Sequence, residues 1–208
     1  MFTTDPMPGN PWPHDMRITI EDDVHALLDL LWIREAWRLD PIGEDLPPRL
    51  VATPAQEPAF NDSQVEAWAS SCPEIWRACV AHAGEERDPL LFDRLQSSPL
   101  ASQERKELLA QLVGPSWQDW FGDAAFTDEY DVWNSTLFQE RTSPRTTRSP
   151  ERESLEQLVP AWRAGLTKII VIPCHGSFTR RIGAHALLVT AETRDTAEKY
   201  AEALSSFD

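Results

Sequence analysis

The segment Asp22 to Leu39, DDVHALLDLLWIREAWRL, constrains this chain more than any other. Wound as a helix, it puts Val24, Leu27, Leu28 and Leu31 on one stripe and Leu30, Ile33 and Trp37 on an adjacent one. His25, Asp29 and Arg38 are left on a narrow polar remainder. A helix that is apolar over most of its circumference has to be packed on several sides. Thr19-x-x-Asp22 supplies a start signal, and Asp40-Pro41 a stop, because a proline drives the residue before it out of the helical region. The fold is therefore built around this helix.

Further helices follow from spacing. Ser63-x-x-Glu66 opens one in which Val65, Trp68, Cys72, Ile75, Trp76, Cys79 and Ala83 keep helical periodicity to Gly84, with Pro73 a kink or a restart. Asp88-Pro89 opens a short helix through Leu95. Ser102 opens another, with Leu108, Leu109, Leu112 and Val113 inward and Gly114-Pro115 as its stop. Thr127 caps a helix carrying Tyr130, Trp133 and Leu137. Ser149-Pro150-Glu151 opens one with Leu155, Leu158, Val159 and Trp162 inward. Asp195-x-x-Glu198 opens the last, with Tyr200, Leu204 and Phe207 on its stripe.

Two runs break the helical pattern, KIIVI from Lys168 and AHALLV from Ala184. They are β-rich and lack polar alternation, which suits strands covered on both faces. Joined by a polar, Gly-bearing loop, they are expected to pair as a hairpin with Phe178 to Arg181 at its tip. Ile18 and Ile20 alternate and suggest an edge strand. The fold class expected is α+β, a mainly helical body with a small sheet containing a β-hairpin near residues 168–190. Residues 1–15, with four prolines, read as a mobile tail tacked down by Trp12. Residues 16–208 read as one domain. Within it, RTSPRTTRSP (141–150) forms an exposed loop or linker between an acidic helical part (16–140) and a helix–strand–strand–helix part (151–208).

Candidate chemistry gathers in the loop between the two runs. A symmetric hairpin register sets Cys174 opposite His185, within about 5 Å at Cβ, as a nucleophile and base pair, with His175 a rival base on the opposite face. Neither an orienting third residue nor an oxyanion hole is legible. Gly176, Ser177, Arg180 and Arg181 form an alternative site, an anion clamp of backbone N–H groups and guanidinium forks. The alternative to both is a wet polar turn. Cys72, Cys79 and His82 share one helical side, but the two cysteines are about 10 Å apart along an unbroken helix, so they read as core residues and no metal is expected. The paired carboxylates, Asp22-Asp23, Glu85-Glu86 and Asp128-Glu129, read as solvated helix starts and loops. Asp119 and Asp131, near Trp120 and Trp133, are the better pocket candidates. No cofactor motif is present.

Charge narrows the partners. The net charge is −15, divided as −17 over residues 1–140 and +2 over 141–208. Such a surface repels nucleic-acid phosphates and anionic membranes and favours a basic partner. Nine tryptophans imply a core built on large aromatics, with some available for a partner surface. No window approaches about 18 apolar residues, so no membrane span is expected. Three cysteines give no disulfide framework, and the first residues carry neither the basic nor the apolar region of a signal peptide, which points to the reducing cytoplasm. Sixteen Arg against three Lys is the usage of a GC-rich, bacterial genome. The expectation is a non-catalytic intracellular protein that binds another protein through an acidic or Trp-bearing surface or the Arg180-Arg181 tip. The alternative is a small hydrolase or transferase using Cys174 with His185 or His175, and Arg180 and Arg181 on an anionic substrate.

Overall fold

The structure, a computed structural model, describes residues 6–7, 10–43, 45–52, 54, 62–142 and 149–207. Two short antiparallel strands, β1 (Pro6–Met7) and β2 (Asn10–Pro13), precede β3 (Thr19–Glu21). Eight helices follow: α1 (His25–Ala36), α2 (Asp62–Ala83), α3 (Leu91–Ser97), α4 (Gln103–Val113), α5 (Gln118–Phe121), α6 (Asp128–Thr142), α7 (Pro150–Glu153) and α8 (Leu155–Arg163). The chain closes with β4 (Lys168–Ile172), β5 (Thr179–Ile182), β6 (Ala186–Thr190), α9 (Ala191–Asp195) and α10 (Ala197–Ser205). This is an α+β fold with a mainly helical body. Most of the expected 141–150 linker falls outside the described residues. Among those described, no helix is long and apolar enough to cross a membrane.

The main sheet has the order β3-β4-β6-β5. β3, β4 and β6 run parallel, and β5 lies antiparallel on the outer edge of β6. A hairpin is present, but β5 and β6 form it. The two apolar runs pair in parallel instead, Ile169 beside Leu187 and Val171 beside Val189. The segment expected as the tip, from Thr179 onward, is a strand in its own right, so the C-terminal part reads helix–strand–strand–strand–helix. The reason lies in the runs themselves. Two fully buried apolar strands suit a central parallel pair covered on both faces, and a parallel pair needs a crossover between its strands. The connection 173–178 passes over the end of β6 and is tied there by Thr190, whose Oγ1 donates to Gly176 O at 2.7 Å.

The alternation along these strands feeds two cores. Ile170, Ile172, Ala186 and Leu188 face the α1–α2 side, whereas Ile169, Val171, Leu187 and Val189 face Leu158 of α8, Tyr200 and Leu204 of α10, and Phe207 just beyond it. Helix α1 lies in the first core, with every residue from Leu27 to Ala36 buried. Around it stand Trp37, Trp68 and Trp117 in edge-to-face contact, Trp37 to Trp68 at 5.5 Å and Trp68 to Trp117 at 5.6 Å between centroids. Each such pair adds about 0.5–1.5 kcal/mol beyond its buried area. The indole N–H of Trp37 donates to Ala125 O at 2.8 Å, and that of Trp76 to Asp45 O at 3.2 Å. Trp12 donates to Met16 O at 3.0 Å and packs on the second core.

Helix α2 runs unbroken through Pro73. Helix α4 is capped as its sequence predicts, Ser102 Oγ accepting from Arg105 N–H at 3.1 Å. Its inward stripe is narrower than expected. Leu108 is buried and Leu112 half-buried, but Leu109 and Val113 face solvent at 40% and 62% exposure. Those two residues sit one turn apart on the face of α4 turned away from the core.

Candidate functional site

The loop Pro173 to Phe178 is held on all sides. Residues 49–51 run beside it: Leu50 bridges Cys174, Val51 N–H donates to Pro173 O at 3.0 Å, and His175 N–H donates to Arg49 O at 2.8 Å. Those residues are in turn fixed from α1. The guanidinium of Arg34 donates to Pro47 O at 2.7 Å and Pro48 O at 2.5 Å, and Glu35 bridges Arg34 at 3.2 Å and Arg49 at 3.1 Å. Arg34 and Glu35 are both buried. A buried ion pair persists only with the support of further hydrogen bonds, and here the carbonyls of Pro47 and Pro48 supply two of them.

Cys174 is wholly buried in this arrangement. Burial pushes its thiol up to about 12, with Arg34 opposing and Glu35 adding to the shift. His185 does not stand opposite it. His185 lies in the turn before β6, beside Thr167 at the start of β4, and its Nδ1 is 3.3 Å from Gly165 O. Cys174 lies past the other end of β4, about 20 Å away at strand rise. The expected opposition is overturned because β4 and β6 run parallel. His175 is exposed and adjoins Cys174 only along the chain.

Two backbone N–H groups at the expected anion clamp, those of Gly176 and Phe178, have internal partners. Gly176 N–H donates to Glu192 Oε2 at 2.8 Å, and Phe178 N–H to Thr193 Oγ1 at 3.1 Å. The first does hold an anion, the chain's own carboxylate. Glu192 also accepts from Lys199 at 2.6 Å, and those two hydrogen bonds keep its carboxyl below the usual range. Ser177 is exposed. Arg180 reaches Asp45, at 3.2 Å to its carbonyl and 3.5 Å to its carboxylate. Arg181 lies 4.3 Å above the Phe207 ring.

Cys72 and Cys79 are core residues, their thiols raised by burial to about 11 and about 12. The Cys79 thiol donates to Pro115 O at 3.2 Å. Among the described residues no cluster of His, Cys, Asp or Glu is arranged to hold a metal ion. Asp119 and Asp131 are exposed, and Asp119 caps the turn before α5 by accepting from Ser116 N–H at 2.7 Å.

Two features stand out instead. The first is an acidic stretch of chain. From Glu107 to Glu140 the chain contains no Lys, Arg or His. Glu107, Asp119, Asp123, Asp128, Glu129 and Asp131 are all exposed there. Trp120, Val132 and Phe138 are exposed among them, at 43%, 61% and 64%. The second is a cavity of about 480 Å³ at the start of α1, lined in part by Asp29, His25 and His82. Asp29 is buried, and the Tyr130 hydroxyl donates to it. Burial raises the Asp29 carboxyl, against the Tyr130 hydrogen bond and the charge of His25. Sequence reading set Asp29 on a polar face. The signal available was an acid set between Leu28 and Leu30, in a helix apolar over most of its circumference.

Comparison with protein-family models, with curated proteins and with solved structures finds no match to this chain. The chemistry of its own surfaces carries the functional reading.

Proposed function

We propose that this chain is a non-catalytic protein that binds another, basic protein through the acidic face spanning α4 to α6. The observation that carries this is the stretch Glu107 to Glu140, in which six described acids and the apolar side chains of Trp120, Val132 and Phe138 are exposed without one basic residue among them. A single-sign field steers a partner of opposite charge and suppresses wrong ones. Trp and Phe are among the aromatic side chains enriched at interface cores, and Trp among those that anchor them. The Arg180-Arg181 segment is the weaker contact, because Arg180 already pairs with Asp45 and Arg181 stacks on Phe207. The non-catalytic reading is supported by Cys174, a sealed thiol raised to about 12 with His185 at the far end of the strand. The reading includes a reducing, cytoplasmic setting, supported by three buried free thiols.

The test is affinity capture from the host's own extract, followed by titration of the purified partner. Trp120→Ala with Val132→Ala, and separately Asp128→Asn with Glu129→Gln and Asp131→Asn, are compared with the parent protein. The expected partner is basic, each variant weakens it about tenfold or more at unchanged melting temperature, and added salt weakens it further. An acidic partner, or one indifferent to both variants, refutes the reading.

A further inference from the structure

The cavity at the start of α1 is unbalanced in charge. Glu21, Asp23 and Asp29 line it against a single permanent cation, Arg87. Arg87 is 3.5 Å from Glu21 Oε1, and Lys168 Nζ lies 4.0 Å from the same oxygen. That compensates one carboxylate. Glu21 Oε2 is nevertheless buried with no hydrogen-bond partner among the described residues.

Asp29 has no such cation. It is 7% exposed, and its one named hydrogen bond comes from the neutral hydroxyl of Tyr130. Among the described residues no Lys or Arg stands within ion-pair distance of it. His25, which also lines the cavity, favours the ionised form of Asp29, but less than burial opposes it. A buried carboxylate without a permanent counter-charge is costly, and a cation arriving in the cavity offsets that cost. The remaining wall suits an apolar body, with Val24, Ala83 and Leu112 contributing aliphatic surface. The volume falls within the range of about 300–1,000 Å³ typical of small-molecule sites, which combine apolar walls with a few placed polar groups.

One wall is set by close packing. Gly114 has φ +71°, and a Cβ there would lie 2.0 Å from the His82 ring. His82 therefore rests directly on the Gly114 backbone, with its Nδ1 3.5 Å from Glu85 Oε2. Only glycine allows both the backbone conformation and the approach. The imidazole is thereby held in the cavity wall instead of filling the cavity.

We propose that this cavity binds an organic monocation, an amine carrying an apolar body, with its ammonium group paired to Asp29. The cavity borders the acidic stretch through Leu112 and Gln118, but Asp29 is buried on α1 and its substitution removes none of the exposed acids or aromatic side chains of that stretch.

The experiment is calorimetric titration of the full chain near neutral pH with phenethylamine and hexylamine, against 2-phenylethanol and hexanoate of matched size. Saturable one-to-one binding of an amine is expected, with the alcohol and the carboxylate about tenfold weaker or more. Asp29→Asn should weaken the amine by a similar factor while leaving capture of the basic partner unchanged. Gln118→Trp, at an exposed position on the cavity rim, is a second variant that does not touch the core and should also weaken it. Circular dichroism verifies the fold of each variant, and if Asp29→Asn does not fold, Gln118→Trp is decisive. Equal binding of amine and alcohol, no saturation by either amine at millimolar concentration, or amine affinity unchanged in the folded variants overturns the proposal.

Discussion

The hydroxyl of Tyr130 on α6 donates a hydrogen bond to Asp29 on α1, joining two helices at positions 101 residues apart in the chain. The Tyr130 ring also stands edge-on to Trp32 at 5.2 Å and to Phe126 at 4.9 Å. Tyr130→Phe keeps those ring contacts and removes only the donor. The expected loss is about 1–3 kcal/mol in urea melts, the cost of leaving a buried acceptor unserved. A loss below about 0.5 kcal/mol would show that Asp29 does not depend on this bond.

Asp29 also sets a pH dependence. The groups facing it are His25 on its own helix, Tyr130 from α6, Cys79 and His82 from α2, and Glu21 from β3. Its carboxyl is raised by burial from an ordinary 3.8. A raised carboxyl binds its proton more tightly folded than unfolded. Its contribution to stability is complete below the ordinary value and is lost as pH rises through the raised one. The stability of the parent protein relative to Asp29→Asn should therefore fall from acid pH toward neutrality, while the facing groups, common to both proteins, cancel. Paired melts across that range check this, and a difference that grows with pH contradicts it.

Leu28, in the buried run of α1, is 2% exposed. Leu28→Ala should destabilise by about 2–5 kcal/mol, the lost transfer energy plus the cavity left behind. Denaturant melts measure it, and a change under about 0.5 kcal/mol would place α1 at the periphery.

Gly84, just past α2, meets the edge strand β5. A Cβ there would lie 2.2 Å from Ile182 Cγ2 and 2.9 Å from its Cβ. Gly84→Ala should cost about 1–3 kcal/mol by overpacking. Combining it with Ile182→Ala should recover part of that loss. Simple additivity in the double-mutant cycle would mean that the two residues do not compete for this space.

Native thiols should be silent. Cys72, Cys79 and Cys174 are buried, with thiols raised by burial to about 11, about 12 and about 12. A maleimide titration near neutral pH should label none of the three over minutes and all three in denaturant. Rapid native labelling of Cys174 would revive the nucleophile that the alternative enzymatic reading requires.

The sequence was most legible where one element settled its own environment. Nothing but burial on several sides suits Leu27 to Ala36, and the Ser102 cap needed only its own turn. It was least legible where partners decide. KIIVI and ALLV carry the same apolar pattern whether they pair in parallel or antiparallel, so the crossover and the separation of Cys174 from His185 could not be read from them. Thr179 to Ile182 reads as three polar residues and one apolar, too short and too polar a run to distinguish a tip from an edge strand. Leu109 and Val113 have the spacing of a buried stripe, but a stripe's width depends on what is packed against it. Asp29 and Glu35 became buried charges through Tyr130 and Arg49, residues remote in sequence.

The pairing of Thr19 with Lys168 has a consequence for synthesis. A ribosome delivers β3 about 150 residues before the strand it must lie against, and closing so long a loop is slow. Throughout that interval the oily helix α1 has no sheet to rest on. Until β4 emerges, α1 exposes apolar surface of the kind that chaperones shield. The segment from β4 to α10 is the clasp that ends this exposure.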